Sequence, residues 1–182
     1  MPDTPVNYED EEFVPRRPKT GEDLLSSSGV IVVSDILGFI AKERRHRQEK
    51  ADQAADVIRR IGPYRLVGIY DITEEDASVI AWSGLGPPAF MRFAANAGLT
   101  GEAVRSKKTV VVNDVSTNPH YLTAFAGTQA EIIVPVLDPT GSRVVGSIDV
   151  ESDKLYAFVA PDQMVLEACA RALAPLWNDG DR

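Results

Sequence analysis

Residues 131–151, EIIVPVLDPTGSRVVGSIDVE, constrain this chain more than any other stretch. Two β-branched runs, 132–136 and 144–150, flank the turn formers Asp138, Pro139, Thr140, Gly141 and Ser142, a pattern that predicts an antiparallel hairpin. With those five residues as the loop, Leu137 faces Arg143 and Glu131 faces Asp149, with Glu151 two residues further along. Strand alternation then puts Glu131, Asp149 and Glu151 on one face. Ile132, Val134, Val136, Val144, Ile148 and Val150 fall on the other, where they can bury against a helix. One face builds core, and the other gathers acid.

The composition limits what such a hairpin can belong to. A chain of 182 residues, 44% of them hydrophobic, suits one compact domain with appendages. Its net charge of −8 repels polyanions, so neither nucleic acid nor an anionic membrane is expected as a partner. A single cysteine, Cys169, gives no intramolecular disulfide framework and no Cys-rich metal site. No N-terminal apolar stretch reads as a signal peptide or a membrane span, so the expectation is a cytoplasmic protein, with no metal and no cofactor.

Along the chain, residues 1–21 carry Pro2, Pro5, Pro15 and Pro18 around an acidic run and read as a disordered tail. Residues 22–50 form an N-terminal helical extension in which 22–33 stay ambiguous between a short strand and a helix start. Ser34 is placed as the N-cap of one long helix, or two, ending at Gly62-Pro63. Its charged middle, with His46, reads as a solvated face. The apolar cluster Ile36, Leu37 and Ile40 has no evident partner inside the domain, which predicts a homodimer through this helix.

Residues 65–72 and 77–83 form a second hairpin around Thr73, Glu74, Glu75 and Asp76, with Leu66, Gly68 and Tyr70 on one face. A short helix is expected through Met91 and Phe93, another over 102–106, and a strand over 109–112. Residues 113–129, with His120, Tyr121 and Phe125, make a long loop of the kind that covers a pocket. A last helix begins at Pro161, with Asp162 near its positive end, and runs to about Trp177. Cys169 falls in its apolar stripe, as a buried and unreactive thiol. The fold class is α+β, an antiparallel sheet with N- and C-terminal helices on one face and ligand-pocket loops on the other.

Three motifs point to a family. Val111-Val112-Asn113-Asp114-Val115, Glu131-Ile132-Ile133-Val134-Pro135-Val136 and Val145-Gly146-Ser147-Ile148-Asp149-Val150-Glu151-Ser152 resemble a GAF domain, placed here over 51–178 with a tail at 179–182. Leu66-Val67-Gly68-Ile69-Tyr70, Pro88-Ala89-Phe90 and Gly98-Leu99-Thr100-Gly101 are similar to the branch that reduces free methionine (R)-sulfoxide. That resemblance places the branch's cysteines at Phe90, Thr100 and Ala124, so every thiol of the reaction is missing. It also places the ligand-holding carboxylates at Glu131, Asp149 and Glu151.

A hydroxyl at Thr100 cannot attack a sulfoxide and then close a disulfide. The expectation is therefore a non-catalytic small-molecule-binding sensor or regulatory module with no catalytic residue. A thiol-dependent methionine sulfoxide reductase and a structural dimerisation module are the alternatives. Like charges so close together favour a guest that brings an ammonium. The predicted site for this amine-bearing metabolite comprises Glu131, Asp149, Glu151, Thr100 and Tyr121, with walls from Tyr70, Trp82 or Phe125.

Overall fold

A computed structural model describes residues 27–42, 46–123 and 126–178. The predicted tails at 1–21 and 179–182, and Ala124 and Phe125, lie outside the described residues. Six antiparallel strands form one sheet: β1 (Leu66–Ile72), β2 (Asp76–Gly84), β3 (Arg92–Ala94), β4 (Val110–Val112), β5 (Ala130–Leu137) and β6 (Val144–Ser152), in the order β3-β2-β1-β6-β5-β4. The helices are α1 (Ser27–Ile40), α2 (Arg47–Arg59), α3 (Gly98–Ser106) and α4 (Ala160–Leu173), the last continued by a 3-10 turn through Trp177.

Helices α1, α2 and α4 share one core with the sheet. Ile36, Ile58, Leu166 and Leu173 meet Val67, Ile69, Ile132, Val134, Val136, Ile148 and Val150 there, as alternation along β1, β5 and β6 requires. Helix α4 starts at Ala160, one residue before the predicted Pro161, with the Asp162 carboxylate accepting a 3.0 Å bond from the Val159 N–H. Its far end is tied back to the sheet: Trp177 Nε1 donates to Asp71 Oδ1 at 2.7 Å, and Arg47 pairs with the same carboxylate while donating from Nε to the Leu176 carbonyl at 2.9 Å.

Four local expectations change. The hairpin loop is longer by one residue, because the Asp138 carboxylate accepts from the N–H groups of Ser142 and Arg143 and Leu137 pairs with Val144. One step on, Val136 pairs with Gly146, so Val145 is an extra residue in β6, a bulge. Loop and bulge together move the register by two. Glu131 therefore faces Glu151, and Asp149 faces Ile133. An even shift keeps the three carboxylates on one face, but the bulge turns Val144 away from the helices into a smaller cluster with Tyr70, Ile72, Ala77 and Ala95.

The predicted helix at Met91 and Phe93 is instead edge strand β3, drawn into extension by pairing with β2, where the Val79 N–H bonds the Met91 carbonyl at 2.9 Å. Ser34 lies inside α1, which already begins by Ser27: Val32, Ile36 and Phe39, spaced four and three apart, bury one face. Finally, Ile36 does have a partner within the domain. It is fully buried in the shared core, while Leu37, Val30 and Ile31 remain exposed.

Candidate functional site

On the sheet face away from α1, α2 and α4, the alternation that builds the core brings polar side chains together. Glu131 and Glu151 stand opposite each other on β5 and β6, Asp149 is two residues along β6, and Leu66 and Gly68 lie beside them on β1. Tyr70 folds back over Gly68: a Cβ at that glycine would fall 2.6 Å from the tyrosine ring, so the absence of a side chain makes room for this floor. Helix α3 brings Leu99 and Thr100 from above, and the loop after β4 brings Leu122 against Gly98, whose φ of +61° suits glycine. With Phe90 and Phe93 these residues line a cavity of about 30 Å³.

The carboxylates differ in their support. Asp149 accepts from Ser147 Oγ at 2.6 Å and more distantly from Thr100 Oγ1 at 3.4 Å. Glu151 accepts from the Thr128 hydroxyl. Glu131 lines the cavity at 6% exposure, yet no described residue donates a hydrogen bond to it. Burial, followed by the charges of Asp149 and Glu151, pushes its carboxyl well above the usual range. Burial likewise raises Asp149 to about 7 against the pull of the Ser147 and Thr100 hydroxyls, and raises Glu151 against the Thr128 hydroxyl and the Arg65 charge. The Tyr70 hydroxyl is lifted by burial and then by the charges of Asp149, Glu151 and Glu131.

Of the predicted site residues, Glu131, Asp149, Glu151, Tyr70 and Thr100 line the cavity. Tyr121 does not; it packs beside Leu99 and Ile133, close enough that burial and the charges of Glu151 and Glu131 push its hydroxyl up to about 12. Trp82 shares the row of Gly68 and Asp149 but stands one strand further out, 39% exposed and off the lining. The predicted wall Phe125 falls outside the described residues. Its aromatic role passes to Phe90 and to Phe93, whose ring meets Tyr70 edge-on at 5.7 Å. A strand reading of residues 92–94 would have placed Phe93 in alternation with the cavity face; the helix reading concealed it.

The sheet separates Cys169 from this cavity. The thiol is fully buried in the α4 core, and burial pushes it up to about 12, far from the thiolate that redox chemistry needs. Among the described residues no group of three or more His, Cys, Asp or Glu side chains is arranged to hold a metal ion. No described helix is long and apolar enough to cross a membrane.

Known proteins share this architecture. The chain is similar to GAF domain-containing protein A of Dictyostelium discoideum, 31% identical over 107 residues, which are 59% of this chain and 66% of that protein. It is similar to Protein YtsP of Bacillus subtilis, 28% identical over 106 residues, 58% of this chain and 64% of that one. The match thus spans just under two thirds of the length of these relatives. Among solved structures, a type II free methionine-R-sulfoxide reductase from Thermoplasma acidophilum superposes with a TM-score of 0.67 at 29% identity, over 78% of this chain and 94% of that one. The model for the GAF domain matches residues 45–177, and the chain belongs to the GAF domain family.

Proposed function

We propose that this GAF domain is a non-catalytic sensor or regulatory module that binds a small metabolite through its ammonium group. The observation that carries the reading is Glu131, a carboxyl nine-tenths buried against the cavity with no described hydrogen-bond donor, flanked by Asp149 and Glu151. A buried carboxylate without a donor is costly, and a cation that enters with its own N–H groups removes the cost. The reductase alternative lacks support, because the one thiol lies on the far side of the sheet.

Native mass spectrometry of freshly purified protein should reveal a retained small molecule, and calorimetry against amines and amino acids should give binding only for guests with an ammonium. Glu131→Gln should weaken it by roughly 1.5 to 3 kcal/mol, as for a charge-assisted hydrogen bond, and Asp149→Asn, which removes only a neighbouring negative charge, should weaken it by less. Binding confined to anionic or neutral guests, or indifferent to both substitutions, removes the reading.

One observation favours a second reading, a cytoplasmic dimerisation module. Val30, Ile31 and Leu37 on α1 are 49%, 60% and 52% exposed, an apolar face on a helix whose other side is buried. Light scattering at tens of micromolar should show a homodimer that Leu37→Glu dissociates; a monomer at that concentration excludes it.

A further inference from the structure

We infer that the guest is a primary monoamine with no carboxylate, its ammonium held by Glu131, Glu151 and the Tyr70 hydroxyl and its apolar tail leaving between Phe90 and Leu122. This rests on the ammonium reading above and narrows it by two observations, the charge of the lining and the count of free acceptors.

Among the described residues that line the cavity no side chain is basic, while three are carboxyls. An amino acid carries its carboxylate one carbon from the ammonium, so docking the ammonium at Glu131 brings a fourth carboxylate into the cluster. Arg65 is the cation behind Glu151, but it does not line the cavity and it faces Asp153 at 3.9 Å. The first turn of α3, with its outward N–H groups, is the other positive element, and through Thr100 it is turned toward Asp149. Arg65 is not placed to receive a ligand carboxylate, and the α3 turn, which lines the cavity, already faces the Asp149 carboxylate.

The acceptors match a primary ammonium. Both Asp149 oxygens already accept, from Ser147 and Thr100, and one oxygen of Glu151 accepts from Thr128. Oxygens without any donor among the described residues remain on Glu131, on Glu151 and on the hydroxyl of Tyr70, a cavity-lining residue that is only 3% exposed. An –NH₃⁺ group offers three donors to these three acceptors. The cavity of about 30 Å³ has room for the ammonium group, and the rest of the guest extends toward its mouth. Beyond it Phe90 and Leu122, 43% and 39% exposed, form an apolar mouth for a tail and offer nothing to a second charge.

Three probes with one carbon skeleton test this by calorimetry at pH 8: 3-methylbutylamine, leucine, which adds only the carboxylate, and 3-methylbutan-1-ol, which removes the charge. The amine should bind at least tenfold more tightly than either. Leucine binding as tightly as the amine overturns the inference and leaves the ammonium reading intact, whereas the alcohol matching the amine overturns both. If the amine fails to bind, the inference is likewise overturned, and the mass spectrum of the retained molecule then judges the ammonium reading separately. Tyr70→Phe keeps the ring over Gly68 and removes one acceptor, so it should weaken the amine three- to tenfold with an unchanged melting temperature. Unaltered affinity in that variant overturns the three-acceptor geometry.

Discussion

The two faces of the β5–β6 hairpin are built from the same residues in alternation and do opposite things. On the helix side Ile132, Ile148 and Val150 are fully buried among apolar neighbours. On the cavity side Glu131, Asp149 and Glu151 are buried almost as deeply, among one another. The first face releases free energy on folding and the second absorbs it, so the acidic cluster persists because the strands that carry it are fixed from behind. The candidate site lies on the face that stability does not need.

The largest test of that contrast is Ile148→Ala. It empties the helix side at a site with no exposed atoms and should cost about 4 kcal/mol in urea denaturation, in the range for large-to-small core changes. A cost below about 1 kcal/mol would mean the hairpin is not anchored from that side.

Next comes pH. Asp149 is raised from its ordinary 3.8 to about 7, so between those values the folded state binds more protons than the unfolded one and stability falls as pH rises. From pH 5 to pH 8 the loss from this group should be about 3 kcal/mol, at about 1.4 kcal/mol per pH unit up to its folded value, with Glu131 and Glu151 adding in the same direction. Asp149→Asn should flatten the profile, and a wild-type profile already flat over this range contradicts a protonated cluster.

Smaller still, Glu131→Gln should raise stability at pH 8 by roughly 1 to 2 kcal/mol while it lowers ligand affinity, the two faces trading in opposite directions. Loss of both together would falsify the division of labour. The smallest effect belongs to Cys169→Ala, which should leave ligand affinity unchanged, with no turnover of free methionine (R)-sulfoxide before or after. Turnover that disappears with the thiol would restore the enzyme reading.

Much of this contrast was legible in the chain. Periodicity two in residues 132–136 and 144–150 gave two strands with an apolar and an acidic face, because side-chain direction is a local property of an extended backbone. The spacing of Val165, Leu166, Cys169 and Leu173 likewise placed α4 and buried its thiol. Residues 92–94 are a strand where their sequence suggests a helix, because three residues at a sheet edge have no period of their own and take their conformation from the neighbouring strand.

By itself, then, the sequence determined which residues of the hairpin lie on which face, Val144 excepted, the acidic character of the site and the absence of a usable thiol. Only the tertiary structure decided that Glu131 faces Glu151, that Tyr70 lies over Gly68, that Phe90 and Phe93 replace Trp82 at the cavity wall, and that Ile36 is core. The physical reason is range. Face is fixed by alternation within a strand, whereas register depends on a loop stabilised by Asp138 and a bulge at Val145, and wall and floor depend on segments brought together from β1, β3, α3 and the loop after β4.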